Sequence, residues 1–369
     1  MAEPDRVCSR CGARYGGGVI FCPSDGTPLG AKKLPVGADP YLGLVVDSDL
    51  RVEQLVGVGA MGRVYRARRA GSERDLAVKI LHRELLTSPS VVARFEREAR
   101  IASRLAHPNV VQMVATGRLP ELGPEVGGEA YLVMEFLDGI SLRSALAAAG
   151  GALPLPRALH VVLQACEAVG EGHTQGVVHR DIKPENVMLV HRGDDPDFVK
   201  VLDFGVARIE RADASFATQA GSIFGTARYV SPEGARGQTV SAESDVYSLA
   251  VLMFECLAGR TPFEGESPVA ILIQHTNDAP PDLRSVPRAS YVPEPIATCV
   301  GRNLSKSPRD RARDGRELGR QLAAAARAAG VSGVGGRGVS LTSIERTKQL
   351  PLGADAIDLT RPPRGSGWS

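Results

Sequence analysis

Three glycines in six residues, Gly57-Val58-Gly59-Ala60-Met61-Gly62, separate two runs of β character, RVEQLVGVG and GRVYRARR. A glycine turn lets the backbone approach phosphates and adopt strained angles without a Cβ clash. The same spacing opens dinucleotide-binding folds, but those need a helix directly after the glycines. Here another strand pattern follows, which disfavours that fold. A third β run, DLAVKIL, comes next. Over 89–105, Val92, Phe95, Ala99, Ala102 and Leu105 recur at three- and four-residue spacing and predict a helix. Strand-like runs near 110–117 and 130–136 complete a small sheet. Beyond residue 140 the pattern turns helical, through SLRSALAAAG, LPRALHVVLQACEAVGEGH, SDVYSLAVLMFECLAG and the alanine-rich RELGRQLAAAARAA. A strand-rich part followed by a helix-rich part predicts an α+β protein with a cleft between them.

Several charges fall where burial makes them costly. Lys79 lies in Ala77-Val78-Lys79-Ile80 on a predicted strand and needs a partner. Glu98, in Arg97-Glu98-Ala99, is the candidate, although the helix alone favours a solvated glutamate. Further on stand His179-Arg180-Asp181-Ile182-Lys183-Pro184-Glu185-Asn186, then Asp203-Phe204-Gly205, then Ser231-Pro232-Glu233. In this order and spacing the set resembles the protein kinase family. The resemblance covers about residues 51–325 and implies the bilobal kinase fold, a small strand-rich N-lobe and a larger helical C-lobe. The spellings HRDIKPEN and GTARYVSPE are similar to those of bacterial Hanks-type serine/threonine kinases.

The resemblance implies transfer of the ATP γ-phosphate to protein hydroxyls, with Mg2+ (or Mn2+) as the ion. In such transfer, positioning and charge neutralisation do most of the catalysis. It puts Lys79 on the α- and β-phosphates, held by Glu98. It puts Asp203 and Asn186 on magnesium, Asp181 at the substrate hydroxyl and Lys183 at the transferred phosphate. Lys183 follows the pattern of the serine/threonine branch, as does Gly225-Thr226-Ala227-Arg228-Tyr229, with Thr226 near Asp181. Val56, Gly57, Gly59, Gly62, Val64 and Ala77 would line the nucleotide. Met134 would be the gatekeeper, with backbone groups of Glu135 and Leu137 at the adenine edge; an ordinary core methionine is the blander reading of Met134. Glu233 would pair with Arg311, and Asp245 would steady the catalytic loop. Arg180, just before Asp181, goes in this family with activation by phosphorylation of the 203–233 segment. Ser215, Thr218 and Ser222 are the candidates there, Thr218 lying best upstream of the Gly225-Thr226 pair. A pseudokinase that binds nucleotide and partners without transfer is the alternative, and the intact catalytic positions argue against it.

The ends read differently. Cys8, Cys11 and Cys22 cluster in residues 1–30, while Cys166, Cys256 and Cys299 are scattered through apolar stretches as buried small hydrophobes. The cluster has the spacing of a zinc ribbon whose fourth position is Asp25, a carboxylate that can ligate zinc. A metal-free remnant is the competing reading. Residues 31–48 read as a linker, 49–328 as the kinase domain, and 329–369, rich in Gly, Ser, Pro and Arg, as a disordered tail. Docking of partners through the ribbon or tail is expected. With 44 basic against 42 acidic side chains, the net charge of +2 gives no general attraction to nucleic acid. No run of 18 apolar residues and no signal-peptide pattern occur, so a soluble, cytoplasmic protein is expected.

Overall fold

The computed structural model describes residues 6–7, 14–15, 39–59, 61–87, 95–96, 99, 103–120, 126–204 and 226–331. Near the start, strands β1 (Arg6–Val7) and β2 (Arg14–Tyr15) pair antiparallel. Then comes a six-stranded antiparallel sheet of β3 (Val45–Val46), β4 (Leu50–Val58), β5 (Gly62–Arg69), β6 (Asp75–Leu81), β7 (Met113–Arg118) and β8 (Ala130–Glu135). Its strand order is β3-β4-β5-β6-β8-β7. Successive side chains of a strand face opposite ways, so both faces of this sheet can carry a core. Tyr65, Val78, Ile80 and Val133 pack on one face. Ala77, Leu132 and Met134 pack on the other, against Phe95 and Ala99, which are helical as the apolar spacing predicts. Gly62 begins β5 where its neighbour β6 passes very close. A Cβ there would run into the Ile80 carbonyl, so this position admits only glycine.

The segment read as a linker is docked in its second half. Residues 39–46 lie along the sheet, Gly43 N–H donates to Val52 O at 2.8 Å, and β3 pairs with Leu50 and Arg51. Tyr41 and Val46 are buried in the core that also holds Tyr65. The remaining 31–38 lie outside the described residues, as do the cysteine cluster with Asp25 and the tail from 332 onward.

The second lobe begins with β9 (Gly139–Ser141), α1 (Leu142–Ala148) and α2 (Leu155–Thr174). Strands β10 (Val187–Arg192) and β11 (Asp195–Val201) form a hairpin that pairs with β9. Helices α3 (Pro232–Ala235), α4 (Ala242–Ala258), α5 (Pro268–Asn277), α6 (Glu294–Asn303) and α7 (Gly315–Ala328) follow. The α4 sequence is apolar nearly all round, which suits only a helix enclosed on every side. Residues Ser244–Ala258 are all buried, and Gly259 ends the helix in a left-handed conformation, φ 75°. By contrast α7 is amphipathic, burying Leu318, Leu322 and Ala326, and Asp314 caps its first turn at Glu317 N–H, 2.7 Å. The lobes are stitched at the cleft, where Val111 N–H donates to Val201 O and Val201 N–H to Asn109 O. No helix among the described residues is long and apolar enough to cross a membrane.

Candidate active site

The cleft gathers side chains from both lobes. On β6, Lys79 extends to Asp203 Oδ2 at 2.7 Å. Burial works against the Asp203 charge, but the Lys79 ammonium outweighs it and holds the carboxyl below its ordinary range. Asp203 itself sits at φ +54°, an unfavourable angle for a residue with a Cβ, and such strain concentrates at functional sites. Glu98, the expected partner of Lys79, lies outside the described residues, as do Gly205 and the activation-segment candidates Ser215, Thr218 and Ser222.

The loop between α2 and β10 presents the second group. Lys183 Nζ lies 3.0 Å from Asp181 Oδ1 and 2.7 Å from Oδ2, and 3.3 Å from Thr226 Oγ1. Asn186 Nδ2 donates to Asp181 O and to Asp181 Oδ2 at 2.7 and 2.9 Å. Burial disfavours the Lys183 charge, yet the adjacent Asp181 carboxylate more than offsets it and keeps the amine above its usual range. Asp181, Lys183, Asn186 and Thr226 therefore form one connected set, with Asp203 and Lys79 as a second.

What aims this loop lies beneath it. On α4, Asp245 accepts from His179 N–H at 2.6 Å, Arg180 N–H at 2.8 Å and His173 Nε2 at 2.9 Å. Arg180 sits at φ +70°, and this pair of backbone bonds holds it there. His179 Nε2 donates to Leu202 O at 2.8 Å while its ring packs 4.7 Å from that of Phe204. One histidine thus ties the Asp181 loop to the Asp203 turn. Glu233 and Arg311 form a bidentate pair at 2.7 and 2.9 Å.

The glycine turn closes with Gly59 N–H donating to Gly62 O at 2.8 Å, and His82 Nε2 lies 2.8 Å from Gly59 O. A Cβ at Gly57 would meet nothing within 4 Å, and one at Gly59 only Gly62 O at 3.7 Å. Nothing among the described residues demands glycine at these two positions, whereas a closely approaching phosphate would. Val64 and Ala77 flank the cleft face of the sheet, Ala77 stands opposite Met134, and Leu137 and Phe136 pack nearby. Val56 is exposed. Glu135 N–H donates to Gln112 O at 3.0 Å, and its carboxylate takes Lys200 Nζ at 2.6 Å. Asp203 and the Asn186 amide oxygen are hard oxygen donors of the kind magnesium takes. Among the described residues no group of three His, Cys, Asp or Glu side chains could hold a metal by itself.

Sequence reasoning missed Arg143 on α1. Its Nε donates to Glu185 Oε1 at 2.8 Å, Nη1 to Glu255 Oε1 at 2.6 Å and Nη2 to the Tyr229 hydroxyl at 2.5 Å. Tyr229 in turn donates to Glu255 Oε2 at 2.6 Å. This hub fixes the 226–231 segment against the catalytic loop. The only signal was Glu185, inside the HRDIKPEN run.

Comparison with known proteins agrees with this geometry. The protein kinase domain family matches residues 50–315. The serine/threonine-protein kinase pkn3 of Myxococcus xanthus is 39% identical over 276 residues, which cover 74% of this chain and 49% of that protein. The serine/threonine-protein kinase PknB of Mycolicibacterium smegmatis is 40% identical over 267 residues, 72% of this chain and 41% of that one. The chain thus spans about half the length of these relatives or less. The crystal structure of the Mycobacterium tuberculosis PknI kinase domain superposes with a TM-score of 0.60 at 26% identity, over 78% of this chain and 98% of that one. The chain belongs to the protein kinase family, and its domain is of the bacterial Hanks-type serine/threonine kind.

Proposed function

We propose that the chain is an active serine/threonine protein kinase that transfers the γ-phosphate of ATP to hydroxyls of protein substrates. The observation that carries the reading is the Asp181–Lys183–Thr226 set, a carboxylate and an ammonium fixed together beside a threonine hydroxyl. Asp181 takes or orients the proton of the attacking hydroxyl, whose oxygen bonds to the γ-phosphorus as the bond to the β-bridging oxygen breaks. Lys183 meets the charge on the transferred group. Lys79, now on Asp203, would take the α- and β-phosphates, and Val64, Ala77, Met134 and the backbone of Glu135 and Leu137 would enclose the base. Asp203 and Asn186 would hold magnesium, which when bound would supply neutralisation of the charge on the phosphates. Radiolabelled ATP with a generic serine- and threonine-bearing protein tests the reading; phosphoserine or phosphothreonine in the product supports it, and absence of transfer with nucleotide still bound would favour the pseudokinase.

Phosphorylation at Thr218, or at Ser215 or Ser222, is the activating step in this reading. Arg180 supports it, because its backbone is pinned by Asp245 while its side chain is exposed beside Asp181. Mass spectrometry of active protein showing an unmodified 203–233 segment would refute it. The Cys8, Cys11, Cys22 and Asp25 set is read as a zinc site serving partner docking. The antiparallel pairing of β1 and β2, which precede and follow Cys8 and Cys11 in sequence, supports this reading. Metal analysis of the full chain, with Cys8→Ser as control, should find one zinc per chain in the parent only. ATP as the donor suits a cytoplasmic site of action.

A further inference from the structure

The docked segment 39–46 covers the sheet face opposite the nucleotide side. Its backbone pairs with β4, while its Asp39 and Tyr41 side chains meet β5. Both oxygens of buried Asp39 accept from the Tyr65 hydroxyl, at 3.1 and 3.0 Å, and Arg63 Nη1 lies 3.6 Å from Asp39 Oδ2. Arg63 Nη1 is buried and has no hydrogen-bond partner among the described residues, where Asp39 is the carboxylate beside it. The Tyr41 ring meets the Tyr65 ring edge-on at 5.9 Å and carries the Arg63 guanidinium 5.7 Å from its centroid. At the far side Tyr41 OH donates to Glu129 Oε1, 3.4 Å away, on the residue just before β8.

Arg63 and Tyr65 flank Val64, the residue whose side chain turns to the cleft face. They also follow directly on Gly62, the last glycine of the turn. Strand alternation makes the consequence specific: gripping residues 63 and 65 from behind fixes the direction of residue 64 in front. We infer that Asp39 and Tyr41 are positioning residues for nucleotide, holding β5 so that Val64 and the glycine turn keep their binding geometry. The inference rests on the nucleotide reading above. It also gives the 1–38 segment a route into the catalytic domain, since the chain enters through Asp39.

Full-length protein titrated with a fluorescent ATP analogue and Mg2+ tests this without phosphotransfer. Asp39→Ala should weaken analogue binding about fivefold or more, and Asp39→Asn, which keeps a Tyr65 contact but loses the charge facing Arg63, about twofold to threefold. Amide exchange over 62–66 should quicken in both, while KM for the protein substrate stays within twofold. If Asp39→Ala does not fold, Asp39→Asn and Tyr65→Phe carry the decision. Analogue affinity equal to the parent in these variants, with only a lower melting temperature, would reduce the strap to a structural element and overturn the inference. Parent protein that binds no analogue at all would instead bring down the nucleotide reading, and the strap's role with it.

Discussion

The cleft and the helical base beneath it both carry buried charge, but they satisfy it differently. In the base every donor of Arg311 is used: Nε on Ser305 O, Nη1 on Glu233 and Glu243 O, Nη2 on Glu233 and Lys306 O. Its side chain is 0% exposed and that of Glu233 only 7%. Asp245 likewise takes three donors, two on Oδ2 and one on Oδ1. In the cleft, Lys79 and Asp203 meet in one hydrogen bond among the described residues, and the Asp203 side chain remains 28% exposed. Saturated charges can only hold backbone, whereas a half-satisfied pair can exchange its partner for a ligand. That contrast separates scaffold from chemistry here more sharply than burial does.

Asp181→Asn should therefore lower kcat by about two to four orders of magnitude, with the melting temperature nearly unchanged and nucleotide affinity kept. An amide cannot take the substrate proton, but it keeps the shape that Lys183 and Asn186 grip. Loss of folding instead of turnover would put Asp181 with the scaffold and break the comparison.

Arg311→Met should act in the opposite sense. It strands the Glu233 carboxylate without a partner, and breaking a buried pair this way costs about 3–5 kcal/mol. Chemical unfolding should show most of that loss, and turnover per folded molecule should stay close to the parent. The base was readable beforehand because its members belong to motifs: Glu233 to the SPE run, Arg311 to SPRDR and Asp245 to SDVYS, and each meets its expected partner. Arg143 was not, since its three partners lie 42, 86 and 112 residues away and no local pattern marks an arginine at the start of a short helix. The strap at 39–46 was hidden for a related reason. Strand β3 is two residues long, too short for alternation, and the left-handed positions leading out of it are Asp47 and Ser48, φ 49° and 70°, where a glycine would have announced the turn. Likewise the motifs named Lys79 and Asp203 separately, and only the fold shows them bonded.

Acid should sharpen the contrast by attacking the base first. Burial raises the Glu233 carboxyl, but Arg311 and Ser244 outweigh it and bring it down to about 2. Burial lowers fully enclosed His275 to about 4, in contact with Tyr247 OH and Arg228 O. Both folded values lie below the unfolded ones, so each contribution is complete above the unfolded pKa and fades as pH falls through the folded one. His275 then loses stability from about pH 6.5 to 4 and Glu233 from about 4.5 to 2, each on the order of 3 kcal/mol. His107, also lowered to about 4 by burial, adds to the first window. Urea unfolding across pH should show the decline, and His275→Gln should flatten it between pH 6.5 and 4.

The smallest test sits where scaffold and chemistry are one hydrogen bond apart. Asp314 Oδ1 caps α7 at Glu317 N–H, and the next residue, Gly315, donates its N–H to His173 Nδ1 at 3.2 Å. His173 passes that order to Asp245 through Nε2, and Asp245 holds the backbone of His179 and Arg180. Asp314→Ala removes one cap and should cost about 1 kcal/mol of stability. Because Asp245 keeps both backbone donors when His173 loosens, kcat should stay within about twofold, on the saturation argument drawn from the base. A fall in kcat well beyond that, measured under conditions where the variant is folded, would mean that the base transmits strain to Asp181 through His173, and that saturated charges do more than hold.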